Sequence, residues 1–209
     1  MPARARPRPP ESSSRGRLWA PDRRRQLLAV AAAILDREGV DGVRIPDVAN
    51  AAGVTRPVVY RFFPNRQAIL MDLLDEFGSV LEARLEESVG AGLADVEALL
   101  RSVFEAVCDT VEEIGAGVWK LLNSAGPDPE IESVAQSVRE RLVRPWIARV
   151  AEVTGAPASD ARALTAMIAA AVPAVLSQWL AGELQREEAV GSVLRGVGGL
   201  IGAFSQAKE

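Results

Sequence analysis

Arg56, Pro57, Val58, Tyr60 and Arg61 fall within six consecutive positions. Two guanidinium groups and a phenol supply hydrogen-bond donors, and proline and valine supply small apolar surfaces. Such a set recognises a partner; it does not break or transfer bonds. The usual parts of a catalytic centre are also missing elsewhere. The chain of 209 residues has no histidine and one cysteine, which excludes a Ser-His-Asp or Cys-His centre and a Cys/His zinc site. Carboxylates such as Glu112 and Glu113 lie mid-helix without a partner base, as on a solvated face. No enzyme activity, metal or cofactor is therefore expected. A lone cysteine cannot form an internal disulfide, so a reducing compartment, the cytoplasm, is the default.

The segment Val43 to Leu70, VRIPDVANAAGVTRPVVYRFFPNRQAIL, contains the elements that would aim those side chains. Pro46 to Ala52 reads as a short helix, opened by proline and stopped by Gly53. Thr55 to Phe63 reads as a second, with Thr55 as its N-cap and Pro64-Asn65 as its end. Val48, Ala49, Ala52, Val54 and Val59 would form the small core between them, and Gly53 permits a left-handed turn. The cluster at 56–61 then faces outward. This is the outline of a helix-turn-helix, whose second helix enters a DNA major groove. Helix-glycine-helix with an apolar core also occurs in helical proteins of other kinds.

Charge is unevenly placed. Residues 1–70 carry a net +7 and the remaining 139 residues a net −11. A basic block beside an acidic body fits either a polyanion partner or a solvated basic tail. The first 25 residues hold eight arginines, with four prolines before position 11. That composition reads as a disordered basic arm over residues 1–20.

The remainder reads as helices, with no sustained period-two run. The expected spans are 23–38, 66–87, 95–114, 118–123, 131–153 (kinked before Pro145), 159–181 and 187–206. The fold class is thus all-α. Ala163 to Gly182 carries no charge and is long enough to span a bilayer, but Pro173 and unbiased flanks favour a buried interface, and no membrane partner is expected. The last helix carries five glycines, at a cost of about 1 kcal/mol each relative to alanine. Small residues at that density let another backbone approach closely.

The segment resembles the DNA-binding domain of TetR-type transcriptional regulators. The residues that carry the likeness are Val48-Ala49, Ala52-Gly53-Val54-Thr55, Tyr60-Arg61-Phe62-Phe63, Asn65-Arg66 and Ile69-Leu70, within a frame of about 22–70. The resemblance implies a helix-turn-helix DNA-binding domain at 21–68 and a helical effector-binding and dimerisation domain at 69–209. It implies that Arg56, Pro57 and Val58 meet base edges, Arg56 suiting a guanine O6/N7 pair and the other two a thymine methyl. Tyr60, Arg66 and Thr55 would meet phosphate, and Arg61 either joins them or is solvated. Arg44 replaces the family's common Thr or Ser; it cannot cap a helix but can reach a phosphate. Phe62 replaces a common His or Tyr and suits packing better than DNA contact. Arg23, Arg24 and Arg25 at a helix start oppose the macrodipole, which makes more sense with phosphate nearby.

The resemblance further implies a homodimer, a double-stranded operator and a small-molecule effector. The last two helices, about 160–206, have more apolar surface than one chain can hide, and pairing with their symmetry mates would bury it. Two recognition helices about 34 Å apart would then read a pseudo-palindrome. Phe104, Cys108, Trp119, Leu122, Trp146 and Met167 are candidates for an effector cavity, or plain core. Such an effector would be apolar or amphipathic. Arg139, Arg141 and Arg144 would meet an anionic head group or simply be solvated, and Cys108 is either a redox sensor or a small buried hydrophobe. The expected function is a repressor released from its operator when the effector tilts the 66–87 helix. The alternatives are a DNA-binding protein of this fold controlled by a protein partner, and a helical lipophile carrier with an incidental basic arm.

Overall fold

Apolar spacing sets where the helices run, and proline and glycine set where they stop. The computed structural model describes residues 20–90, 96–124, 126 and 128–206, and among these every regular element is helical. The order is α1 (Ala20–Glu38), a 3-10 turn (Val40–Gly42), α2 (Ile45–Ala51), α3 (Arg56–Tyr60), α4 (Arg66–Gly90), α5 (Val96–Ile114), α6 (Ala116–Asn123), α7 (Pro129–Thr154), α8 (Ala158–Leu180) and α9 (Arg186–Gln206). The basic arm expected at 1–20 lies outside the described residues apart from Ala20, which opens α1. Asp95, expected to start α5, lies outside them too.

Leu27, Ala31 and Leu35 of α1, Val48 and Ala49 of α2, Val59 of α3 and Ile69 and Leu70 of α4 close a first core around Phe63, which is fully buried. Arg24 stacks over the Phe63 ring, 5.6 Å from its centroid, and pairs with Asp72 of α4. Stacking of that kind contributes about 0.5–1 kcal/mol. So Arg24 has partners within the chain, as does Arg25, which pairs with Asp22 at 2.7 Å. Carboxylates and an aromatic face thus offset the dipole for two of these arginines without phosphate, the partner that the sequence suggests for them.

Beyond Leu74, α4 passes into a second layer and packs against α5 and α7, with α8 on α7 and α9 against both α8 and α5. The buried residues of the two layers form one connected cluster. The division between 68 and 69 thus falls inside a continuous helix. α6 lies between the layers and touches α1, α4, α5 and α7.

Several boundaries differ from the sequence pattern, among them the starts of α7 and α6. α7 opens at Pro129, because Asp128 accepts hydrogen bonds from the N–H groups of Glu130 (3.0 Å) and Ile131 (3.2 Å). Such a cap stabilises a helix by about 1 kcal/mol. α6 begins at Ala116 and includes Gly117, where the sequence suggested Val118. As expected from the sequence, α7 and α8 run through Pro145 and Pro173, each of which lacks one backbone N–H donor.

Candidate nucleic-acid interface and apolar cavity

The turn between α2 and α3 is closed by the N–H of Gly53 to the carbonyl of Asn50 (3.1 Å) and that of Val54 to Ala49 (3.0 Å). Gly53 has φ +64°, and a Cβ there would meet nothing within 4 Å. The need for glycine is therefore conformational, not steric. Val59 is fully buried against Val48 and Ala49, which turns the opposite face of α3 outward. Thr55, Arg56, Pro57, Tyr60 and Arg61 are exposed and Val58 is half-buried. Tyr60, at 54% exposure, is among the few large apolar side chains left in solvent. No hydrogen bond or ion pair ties Arg56 or Tyr60 to another described residue.

Two expectations for α3 are corrected. Thr55 stands at the N-cap, but its side chain makes no capping hydrogen bond. Pro57 removes one N–H it would accept, and the N–H of Val58 is taken by the Thr55 carbonyl at 2.9 Å. Its hydroxyl remains in solvent. The helix also ends at Tyr60, not Phe63, because Pro64 drives the residue before it out of helical geometry. Phe62 is half-buried with Arg61 over its ring at 6.0 Å, which fits its packing role.

The flanking cations are partly engaged. Arg44, at the N-cap of α2, makes no side-chain cap; its Nε donates to the Asp41 carbonyl at 3.1 Å. Arg66 opens α4, half-buried, with Nη2 3.3 Å from the Asp41 carboxylate, which is 95% exposed. That pair is solvated and is worth at most about 1 kcal/mol. Asp41 thus tethers both arginines beside α3.

The second layer forms a half-open cavity of about 260 Å³ between α4, α5, α6, α7, α8 and α9. Phe104, Trp119, Leu122 and Trp146 line it, four of the six candidates. Cys108 and Met167 do not. Cys108 follows Val107, which lines the cavity, by one residue, a turn of about 100°. It points toward the start of α9, where Arg186 binds Asp109 and Glu112. Burial pushes its thiol up to about 11, against the favourable pull of Arg186. A thiol so protonated lacks the thiolate that a redox sensor uses. Met167 is 40% exposed on the outer side of α8.

Polar groups on the cavity wall are few, and each has a partner. Arg139 donates to the Leu122 carbonyl and pairs with Glu132 at 2.5 Å. The Thr165 hydroxyl donates to the Ala161 carbonyl (2.7 Å) and the Asn123 amide to that of Trp119 (2.8 Å). Arg141 faces away, toward Glu82 and Asp75, and Arg144 does not line the cavity. Sequence reasoning missed Asn123, Thr165 and the wall from Ile168 to Pro173. Those α8 residues lay in the uncharged stretch, of which Met167 alone was taken for the cavity and the rest for an interface; α8 serves the cavity with one face and leaves another uncovered.

Residues 27–73 match the family model described as bacterial regulatory proteins, tetR family. The transcriptional regulator EthR of Mycolicibacterium smegmatis is 24% identical over 144 residues, covering 69% of this chain and 64% of that protein. The match therefore spans less than two thirds of EthR. The transcriptional activator FasR of the same organism is 25% identical over 203 residues, 94% of this chain and 92% of that one. Among solved structures, the fatty acid degradation regulator FadR of Bacillus halodurans superposes with a TM-score of 0.72 at 16% identity, covering 86% of this chain and 95% of that one. Turn, exposed α3 and second helical layer define a helix-turn-helix protein with an attached helical domain. Residues 27–73 thus match the tetR-family helix-turn-helix model, and the chain as a whole is similar to TetR-type regulators.

Proposed function

We propose that this chain is a DNA-binding transcriptional regulator that reads a pseudo-palindromic operator as a homodimer and is controlled by a small apolar molecule. The observation that carries this is the face of α3: Arg56, Pro57 and Tyr60 stand in solvent, and buried Val59 fixes their direction. Arg56 donates to a guanine edge, Pro57 and Val58 touch a thymine methyl, and Tyr60, Thr55, Arg61, Arg66 and Arg44 hold phosphates. The relatives are named as regulators, not enzymes, in keeping with a non-catalytic role. A cytoplasmic location follows from that role.

The dimer uses α8 and α9. α8 is long and apolar enough to cross a membrane, yet only 17% of its apolar window is buried within the chain. α9 beside it offers Gly196, Gly198, Gly199 and Gly202, where an added Cβ would meet no atom of the same chain. Those glycines leave open space beside α9, and a second copy of the same helix pair would cover both helices.

The effector occupies the 260 Å³ cavity. Its polar wall groups are internally satisfied, which favours a neutral apolar occupant over one with an anionic head. α4 starts beside α3 with Arg66 and ends along the cavity with Leu81 and Leu85. A ligand that favours another tilt of α4 changes the spacing of the two recognition helices, and it acts only through its differential affinity for the two states. Repression relieved by the effector is the proposed mode; FasR, named an activator, has the opposite sign. Selection from a randomised double-stranded DNA pool tests the proposal. Enrichment of a pseudo-palindrome is expected, and no enrichment would overturn it.

A further inference from the structure

α6 is short and begins without a side-chain cap of its own, because its N-cap residue is Gly115. The missing acceptor comes from the other layer. The Asp36 carboxylate, in the last turn of α1, accepts a hydrogen bond from the N–H of Gly117 across 81 residues of chain. The local sequence makes room for it. A Cβ on Gly115, whose φ is +125°, would stand 2.6 Å from that carboxylate. One on Gly117 would stand 2.8 Å from it and 2.9 Å from the carbonyl carbon of Leu35. Two glycines therefore bring the backbone of α6 onto the end of α1, and Leu35 beside the contact is buried in the core that holds α2 and α3.

The same eight-residue helix carries Trp119, Leu122 and Asn123 into the cavity. Trp119 also meets Phe77 of α4, with ring centroids 6.1 Å apart. α6 thus touches the cavity on one side and both helices that lead to α3 on the other. We propose that Asp36 is a positioning residue that couples the cavity to the recognition helix: it ties α6 to α1, so a molecule that shifts Trp119 and Leu122 moves α1, and with it α3. The inference rests on the effector reading of the cavity. It adds a second connection beside α4, with Asp36 touching neither DNA nor ligand.

The test uses the full chain, the duplex selected above and the neutral fluorophore N-phenyl-1-naphthylamine as the cavity probe. The readout is the ratio of probe affinities with and without saturating duplex, which by linkage equals the ratio of duplex affinities with and without probe. Wild type is expected to show a ratio of about fivefold or more. Asp36→Ala should bring it below about twofold, with each separate affinity within about threefold of wild type. Asp36→Asn keeps an acceptor oxygen for the Gly117 N–H and should retain the wild-type ratio. Gly117→Ala, which forces α6 off Leu35, should lose it as Asp36→Ala does and serves if that variant does not fold. A wild-type ratio in Asp36→Ala or Gly117→Ala would overturn the role of Asp36 and leave the effector reading intact. Wild type that binds both probe and duplex with a ratio of one would overturn both.

Discussion

Arg56 and Arg66 are both arginines beside α3, yet their surroundings differ. Arg56 has no partner among the described residues, whereas Arg66 is half-buried and paired with Asp41. The proposed roles follow from that difference. Arg56→Ala should cost about 1–3 kcal/mol on the selected duplex and relax preference at one base position. Titrations on single-base variants check this; equal loss on every sequence would remove Arg56 from base reading. Arg66→Ala should weaken all sequences alike and reduce the salt slope by about one. Asp41→Ala should act oppositely, raising affinity for every sequence by freeing Arg66, while Arg44 keeps its bond to the backbone carbonyl of residue 41. Cys108 supports a prediction of another kind. With its thiol near 11, almost none is thiolate at pH 8. A thiol-specific chromogenic reagent should leave native protein unlabelled and label it in guanidinium; rapid native labelling would restore the redox reading. The outward set on α3 was legible because Gly53 and Val59 fix its direction by type and spacing. The internal partners of Arg24 and Arg66 were not, since Asp72 and Asp41 come close only once the helices have packed.

At the level of elements, period and punctuation located the helices, and their ends moved where a cap or a proline acted. Asp128 pulled α7 back to Pro129, and Pro64 shortened α3. The cavity was only partly legible. Phe104, Trp119, Leu122 and Trp146 were named as large side chains on apolar faces, but one stripe cannot distinguish a wall from a packed core, and Met167 and Cys108 fell on the wrong faces. The element that decides is α8, which lines the cavity with Thr165, Ile168 and Ala169. Ala169→Phe places a ring into that space and should weaken the naphthylamine probe by about tenfold or more. Unchanged probe affinity, in a variant that melts like wild type, would show that the probe binds elsewhere. For α9, the proposed dimer predicts that Gly199→Arg sediments as a monomer while wild type sediments as a dimer and helical content is kept. A variant that stays dimeric would place the interface on another face.

Taken as one chain, the protein joins a basic N-terminal third to an acidic remainder through a helix that belongs to both layers. The net charges of +7 over residues 1–70 and −11 over the rest fit a polyanion partner for the N-terminal part and not for the remainder. That asymmetry was visible in the placement of charge along the sequence, and the fold class in the helical spacing of its apolar residues. The continuity of the core across α4, and the contact of α6 with α1, were not, because both depend on residues more than 40 positions apart. The proposed function requires two chains to place two α3 helices on one duplex. The decisive measurement is an anisotropy titration of the selected duplex with wild type and Arg56→Ala at several salt concentrations, with stoichiometry read at saturation. Two chains per duplex are expected, on half-sites about one helical turn apart, with specific affinity lost in Arg56→Ala. One chain per duplex, or weak salt-sensitive binding that Arg56→Ala leaves unchanged, would contradict it.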